Sequence, residues 1–523
     1  MDRQKHKKIQ NARIIVTNIF MVVCVLVLVF ILIFVAQGYT FNYRNGSIEQ
    51  SGLIQIKSHP SGATVKIDGE TQFSHTEINK MLSAGSHDFV VSKKGYDTWK
   101  TTADVDAGLL TRIEWVRLFP LKSETTDMHD YTELRLASAA PNRKSLLLSL
   151  VNSAELQLVN LQNSDAKTTY IDLAALLGVD AATAQSAQIA IGSWNTNSNR
   201  VILQWFHDNI TSWFVLNLDA PEKSINLSKL AGLNITQALI ANEAATKFWI
   251  LDSEQNLYSI ENSSLPDYQP TKIASDTRKI ANNKDVVAYI RTENSPEDPE
   301  LTERKLYIYR DGETESSFIR NLGSTNADTT FALSTYWDSE WIAYSTDKNF
   351  EILSGKYPSI DKPTQSLKSL YKTTLDFAPK QISVNQDQRI IALSADSNYF
   401  SYDIENRRHF TFSADIPISR INWLDNFLIW HRNNNKIVVR DFDGNNRREL
   451  ISNIDNDLPV IISANNKWLY YFDVSEKTIS DTSGQSNSSD STPETYNMPM
   501  QPADSEAAAP TAQIIYTLKR SSL

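Results

Sequence analysis

No charge interrupts the chain between Arg13 and Arg44, and inside that gap residues 14–36 read IIVTNIFMVVCVLVLVFILIFVA. As a helix, about 23 residues at about 1.5 Å rise each reach roughly 34 Å, enough to cross a hydrocarbon core of about 30 Å with a little tilt. A single span must satisfy its own backbone polar groups inside lipid, and only a helix does so. A buried core helix rarely sustains so long an apolar run, so residues 14–36 are expected to form a transmembrane helix. The leader, residues 1–13, carries Arg3, Lys5, Lys7, Lys8 and Arg13 against Asp2 alone. Basic flanks stay inside, which predicts a cytoplasmic N-terminus and extracytoplasmic domains after Gln37, in a single-pass protein of the cell membrane. A cleavable signal peptide would have an apolar core of only about 7–15 residues and a small-x-small site. Here the run is longer, and Phe34-Val35-Ala36-Gln37-Gly38 offers no such site, so an uncleaved signal anchor is expected. Cys24 lies mid-run without the preceding small residues of a lipoprotein site, and reads as an apolar residue facing lipid.

The formal charge is −10. The leader holds five of the positive charges and one negative, so the exported remainder carries −14, which argues against nucleic acid as a partner. Cys24 is the only cysteine, which excludes an intramolecular disulfide and suits a bacterial envelope better than a secreted animal domain. About 480 exported residues imply two to four domains, or one small and one large. Glycine is scarce at 16 residues, so turns must rely on Asn, Asp and Ser, whose side chains bond their own backbone.

Residues 37–51 read as a polar stalk, and from residue 52 strand patterns begin. Leu53-Ile-Gln-Ile-Lys57 alternates, Pro60-Ser61-Gly62 breaks it, Ala63-Thr-Val65-Lys-Ile67 alternates again, and Asp68-Gly69 is a hairpin signal. Leu82-Ser-Ala-Gly85, a strand from His87, Lys94-Gly95-Tyr96 and a last alternating strand, Thr111 to Phe119, complete a small antiparallel β-domain over residues 52–120. These residues resemble the PEGA domain, a family named for a Pro-Glu-Gly-Ala motif followed by a strand and usually Asp-Gly. The matching positions are Pro60, Ser61, Gly62 and Ala63, then Val65, Ile67, Asp68 and Gly69 in register, and further on Gly85, Gly95 and Tyr96. Ser61 stands where the family has Glu, a change that a surface turn tolerates. The resemblance implies a non-catalytic, β-sandwich-like module of a prokaryotic surface protein, and these residues are structural.

Residues 121–132 are polar and read as a linker. Thereafter a loose unit recurs: a strand, a polar turn, a strongly apolar strand, and a third strand. Its copies include Asn142-Arg-Lys-Ser-Leu-Leu-Leu-Ser149, Ser198-Asn-Arg-Val-Ile-Leu-Gln-Trp205, Lys284-Asp-Val-Val-Ala-Tyr289, Gln388-Arg-Ile-Ile-Ala-Leu393 and Asn466-Lys-Trp-Leu-Tyr-Tyr471. The spacing, roughly forty to fifty-five residues, is that of a four-stranded propeller blade. Residues 133–523 are therefore expected to form a seven- or eight-bladed β-propeller, which resembles the degenerate TolB- or WD40-like families although no Gly-His/Trp-Asp signature is present. Two β-sandwiches are the alternative, and the regular spacing favours the propeller. Residues 476–511, rich in Ser, Thr, Asp, Pro, Gln and Ala, are expected to be a disordered insertion. Ile514 to Lys519 then resumes as a strand, with Ile514, Tyr516 and Leu518 on one buried face, and is expected to close the last blade beside Trp468–Phe472.

The chain has no Gly-x-Ser-x-Gly elbow, no phosphate loop and no Gly-x-Gly-x-x-Gly. Its eight His residues lack zinc spacing. Asp441, Asp443 and Asn445 alternate like the start of a calcium loop, but the glycine comes too early and no Glu stands at the twelfth place. The acidic loop Glu293–Glu303 reads as solvated. No catalytic, cofactor-binding or metal-binding residue is thus assigned, and no cofactor is expected. The expectation is a non-enzymatic, membrane-anchored envelope protein that binds a protein or glycan on its propeller face. The alternative is a propeller glycosidase acting on envelope glycans, whose paired carboxylates a sequence cannot reveal because their proximity is tertiary.

Overall fold

The computed structural model describes residues 2–36, 38–42, 46–162, 166–262, 269–295, 301–323, 328–362, 364–414, 417, 421–434, 436–452, 458–478 and 512–523. The apolar run lies within one helix, α1 (Asp2–Ala36), which also takes in the basic leader. Its span Ile15–Val35 has a mean hydropathy of 3.3 and is not buried, and near its end Phe34 stacks on Tyr39.

The strands of the N-terminal module are β1 (Tyr39–Asn42), β2 (Ser47–His59), β3 (Thr64–Ile67), β4 (Glu70–His75), β5 (Ile78–Ser83), β6 (Gly85–Ser92), β7 (Trp99–Val105) and β8 (Leu110–Arg117). They form two four-stranded sheets, β1-β2-β5 with β8 added on β2, and β4-β3-β6-β7. All pairs are antiparallel except β2 with β8, which run parallel. The inward residues of each sheet, such as Ile54, Ile56 and Ile113 on one and Val65, Phe89 and Val91 on the other, meet in a dry core. The predicted hairpin is present: Ile67 pairs with Glu70 across Asp68 (φ 49°) and Gly69 (φ 83°). Both turn residues are left-handed, the geometry that matches strand twist, and Asp and Gly adopt it most readily. Residues 37–51 are not the free stalk expected of them. Tyr39–Asn42 pairs with Ser47–Gln50, and that hairpin runs straight into the module's long strand.

Beyond the module come eight four-stranded antiparallel sheets in chain order. Blades 1 to 7 occupy residues 134–172, 188–226, 235–274, 277–323, 329–374, 381–413 and 422–452. The eighth blade is composite. Its strands are Ile461–Ile462, Trp468–Thr478, Ala512–Ser522 and, outermost, β9 (Thr125–Thr132), contributed from before blade 1. The stretch 121–132 is therefore a ladder strand for most of its length and not a linker. Nothing in its sequence announces a strand, because an outermost strand has solvent on one edge and most of its side chains are exposed. Apolar faces of successive blades pack together around the ring, and the ring closes where Tyr470 and Leu518 of blade 8 meet Leu146 and Leu148 of blade 1. The closing strand sits as expected beside Trp468–Phe472, with Phe472 opposite Leu518. Its burial differs in one respect. Leu518 and Ile515 are buried, whereas Ile514 is largely exposed. The predicted insertion lies outside the described residues from 479 to 511, and its first three residues belong to the strand Trp468–Thr478.

The blades show how a glycine-poor chain turns. The turn between first and second strands holds a left-handed non-glycine residue in seven blades: Arg143, Ser198, Ala245, Lys284, Trp337, Gln388 and Asn466. In three of them one Asn caps the turn. The Oδ1 atoms of Asn195, Asn242 and Asn385 each accept from two backbone N–H groups four and five residues on. In blade 8 the work is divided: Ser463 Oγ accepts from Trp468 N at 3.0 Å, and Asn465 Oδ1 accepts from Lys467 N at 3.1 Å. This turn is the recurrent Asn/Ser signal seen in the sequence.

Candidate functional site

These turns gather on one end of the propeller, and the module is docked there against blades 6, 7 and 8. Ile390 of blade 6 and Phe442 of blade 7 belong to the same apolar cluster as the module's core. The Phe442 ring meets Trp115 edge-on at 5.3 Å. Polar contacts ring this patch. Arg112 pairs with Glu405, and Arg408 pairs with Asp104 and Asp106. Arg448 pairs with Asp97, and Arg117 with Asp425 at 3.0 Å.

Two arrangements in the seam are buried. Trp99, fully buried, donates from Nε1 to Asp441 Oδ2 at 2.7 Å, and Asn446 Nδ2 donates to the same oxygen at 2.8 Å. Burial, aided by the neighbouring Asp443 charge, holds the Asp441 carboxyl well above the usual carboxylate range, although the Trp99 and Asn446 bonds oppose this. The second arrangement centres on Arg389. Its Nε and Nη2 bind both oxygens of Asp403 at 2.8 and 2.6 Å, its Nη1 lies 2.5 Å from Glu405 and 3.6 Å from Glu114 of the module, and its guanidinium stands over the Phe427 ring.

Asp441 makes stability depend on pH in a definite sense. An acid whose folded-state pKa exceeds its unfolded value of about 3.9 takes up a proton on folding at intermediate pH. Its contribution to stability therefore rises as pH falls through the folded-state value and levels off below about pH 3.9. Asp441→Asn keeps an oxygen acceptor for Trp99 and removes the titration. The variant's denaturation midpoint is expected to vary less between pH 8 and pH 5 than that of the parent chain. Identical pH profiles would show that Asp441 does not titrate on folding.

Beside the seam, two clefts open at the mouth of the ring and share Glu114 and Phe427. One, of about 370 Å³, is lined by Glu114, Tyr336, Trp337, Asp387, Arg389 and Phe427. The other, of about 190 Å³, includes His59, Arg117, Arg143, Asp425 and Asn466. Trp337 is 77% exposed on its strained turn and offers an open aromatic face. Desolvation raises the Asp387 pKa, with Arg389 opposing. The inner strands of blades 2 to 6 adjoin one another in turn around the ring. Among the described residues none of the eight inner strands carries an Asp or Glu, and their charged residues are Arg135, Arg278 and Lys279. Hydroxyl and amide side chains bridge the strands instead, as Trp194 Nε1 donates to Ser138 Oγ and Asn283 Nδ2 to Thr335 Oγ1.

The structural motif residues fall as follows. Pro60, Ser61 and Gly62 (φ 74°) form the turn into β3, and Ala63, Val65 and Ile67 are buried. Asp68 accepts from Asp88 N and pairs with His87. Gly85 and Gly95 take positive φ, and Tyr96 bridges to Pro120. The seam residues Trp99, Arg389 and Asp403 were not singled out in the sequence, since nothing local distinguishes them. Asp441 and Asp443 stand out in the sequence as the start of an incomplete calcium loop and as a turn resembling that of a TolB-type repeat, neither of which points to Trp99. Among the described residues no group of three or more His, Cys, Asp or Glu is arranged to hold a metal ion. In the acidic loop, Glu293 is paired with Lys305 and Tyr307, and residues 296–300 lie outside the described residues.

These features define a class: an eight-bladed β-propeller with a small β-module docked on one end, carried on an apolar N-terminal helix. The module itself is a PEGA domain, since residues 51–116 match that family's model. No curated protein matches the chain. Similar solved structures include the C-terminal WD40 domain of Sif2, at 10% identity over 66% of this chain and 95% of that one, with a TM-score of 0.41. Apo AztD from Citrobacter koseri is 10% identical over 76% and 96%, with a TM-score of 0.38. An oligogalacturonate lyase from Vibrio parahaemolyticus is 8% identical over 77% and 98%, with a TM-score of 0.37. The propeller assignment rests on the strand topology itself.

Proposed function

We propose that this is a non-catalytic, membrane-anchored protein of the cell envelope, with a cytoplasmic leader and an extracytoplasmic propeller that binds a protein or glycan. Nucleic acid is not among the expected partners. The observation that carries the reading is that, among the described residues, the eight inner strands hold no Asp or Glu, where a hydrolytic propeller would draw converging acids from separate blades. The PEGA domain serves as a mount for the propeller. The mouth cleft, with the open Trp337 ring beside Glu114, Asp387 and Arg389, is the proposed contact surface, since an exposed aromatic flanked by charged groups suits a sugar face or a peptide.

One observation favours the enzyme instead: Asp387, with its raised pKa, shares that cleft with a second carboxylate, Glu114. The test is to screen the detergent-solubilised chain against glycans, peptidoglycan fragments and chromogenic glycosides. Binding weakened at least tenfold by Trp337→Ala, without turnover, supports the binding reading. Turnover abolished by Asp387→Asn refutes it and installs the glycosidase.

A further inference from the structure

The end of α1 is fastened to the PEGA domain. Ser51 N and Ser51 Oγ both donate to Gly38 O, at 2.6 and 3.0 Å, and Gly108 N donates to Ser51 O at 2.9 Å. A Cβ on Gly38 would come within 2.6 Å of Gly108 N, so the turn between β7 and β8 lies directly against the residue where the chain leaves the helix. The apolar span ends at Val35, three residues earlier.

The outward face of the β5-β2-β8 sheet changes character with distance from that point. Ser51, which bonds Gly38, pairs with Ser83, and in the next row Met81 and Leu110 flank Leu53 from either side. Two residues on, roughly 7 Å further along the strand, the row is Asn79, Gln55 and Arg112. The next holds Lys57 bridged to Glu77 and Glu114. Apolar side chains thus occupy only the end beside the helix exit, where Leu109 is 61%, Met81 48% and Leu110 42% exposed. The propeller meets the domain along its flank, from His59 and Arg117 at the far end to Asp104 and Asp106 beside the β7–β8 turn.

We infer that this end of the PEGA domain is a lipid-docking surface: Leu109, Leu110 and Met81 enter the headgroup–acyl boundary of the bilayer that holds the chain's own anchor. The inference rests on the reading of α1 as a membrane anchor. The occupant follows from continuity, because a surface bonded to Gly38 cannot stand far from lipid when Val35 lies within it. The contact is apolar, since the adjoining charges Asp104 and Asp106 are acidic and already paired with Arg408. The domain therefore stands on the membrane at this end and carries the propeller along its flank through blades 6 to 8.

The full chain reconstituted in phosphatidylcholine nanodiscs tests this. In a Cys24→Ser background, Leu109→Cys, Met81→Cys and, as control, Ile210→Cys on blade 2 are each labelled with an environment-sensitive fluorophore. The chain with only its native Cys24 labelled reports on the anchor. Doxyl groups near the headgroup are expected to quench the labels at positions 109 and 81 several-fold more than the label at 210, with a blue-shifted emission. Quenching at 109 equal to that at 210, while the Cys24 label is quenched by deep doxyl groups, overturns the docking surface and leaves the anchor standing. An unquenched Cys24 label refutes the anchor reading itself. A blue shift at 109 without lipid quenching means that protein covers the patch, a second copy included, and also overturns the inference.

Discussion

Truncation after Thr511 is expected to open the propeller and cause loss of a single cooperative melt, with aggregation. The strand Ala512–Ser522 is not a peripheral addition. It occupies the third position of blade 8, between Trp468–Thr478 and β9, so its removal abolishes two ladders and bares two edges. It also takes Leu518 out of the cluster that joins blade 8 to blade 1, with Tyr131, Leu134 and Leu146 among its neighbours. Burial of Leu518, Ile515 and most of Tyr516 contributes roughly 4–8 kcal/mol gross. That is comparable to a domain's whole margin of about 5–15 kcal/mol. The companion variant separates this strand from the segment that leads into it. Thr478 stands opposite Ala512, so a short Gly/Ser link can replace residues 481–509. Loop closure changes by only about 0.6 kcal/mol per halving of length, so the denaturation midpoint is expected to stay nearly unchanged. A truncated chain that melts like the parent would sink the closing role of the strand.

Arg389→Met is expected to destabilise the chain by about 3–5 kcal/mol, because it leaves a carboxylate buried without its counter-charge. The side chains of Arg389 and Asp403 are 3% and 1% exposed. Asp403 also accepts from Glu405 N and Asn406, so those groups lose their anchor as well. Because Arg389 reaches Glu114 of the PEGA domain, the variant should also loosen the seam, read as faster limited proteolysis around Thr98. Arg389→Lys is expected to rescue little, since an ammonium cannot reproduce the two-pronged contact with Asp403. Pairing Arg389→Met with Asp403→Asn should restore part of the loss. The exposed pair Lys380–Asp396, both 68% exposed, is the contrast, and its removal should cost under about 1 kcal/mol. Equal effects at the two sites in chemical denaturation would show that the Arg389 network is energetically ordinary.

The sequence made a good deal of this legible, and for identifiable reasons. A propeller blade is a local unit, so its second strand and the turn before it recur within short windows. Asn195, Asn242 and Asn385 occupy the same capping position in three blades, and the run after each is apolar because that strand is buried on both faces. Asp68-Gly69 announces a hairpin because few residue pairs accept two left-handed conformations in succession. The run at Asp441, an incomplete calcium-loop pattern, illustrates the opposite case. Its alternation of acids is local, but its role is to receive Trp99 from 342 residues away.

What the chain's sequence determined by itself is whatever depends on near neighbours: the length of the apolar run, the Asp68-Gly69 hairpin of the PEGA domain, the period of the blades and the chemistry of their turns. Tertiary structure alone decided that residues 125–132 form the outermost strand of the final blade, which strands are innermost in each blade, and that the PEGA domain is seated on blades 6 to 8. The physical reason is that an edge strand needs no apolar alternation and a seam needs no repeat. Trp99 and Asp441, or Arg389 and Glu114, carry no mark in their own surroundings. Each becomes significant only when closure of the eight-bladed ring brings its partner within hydrogen-bonding reach.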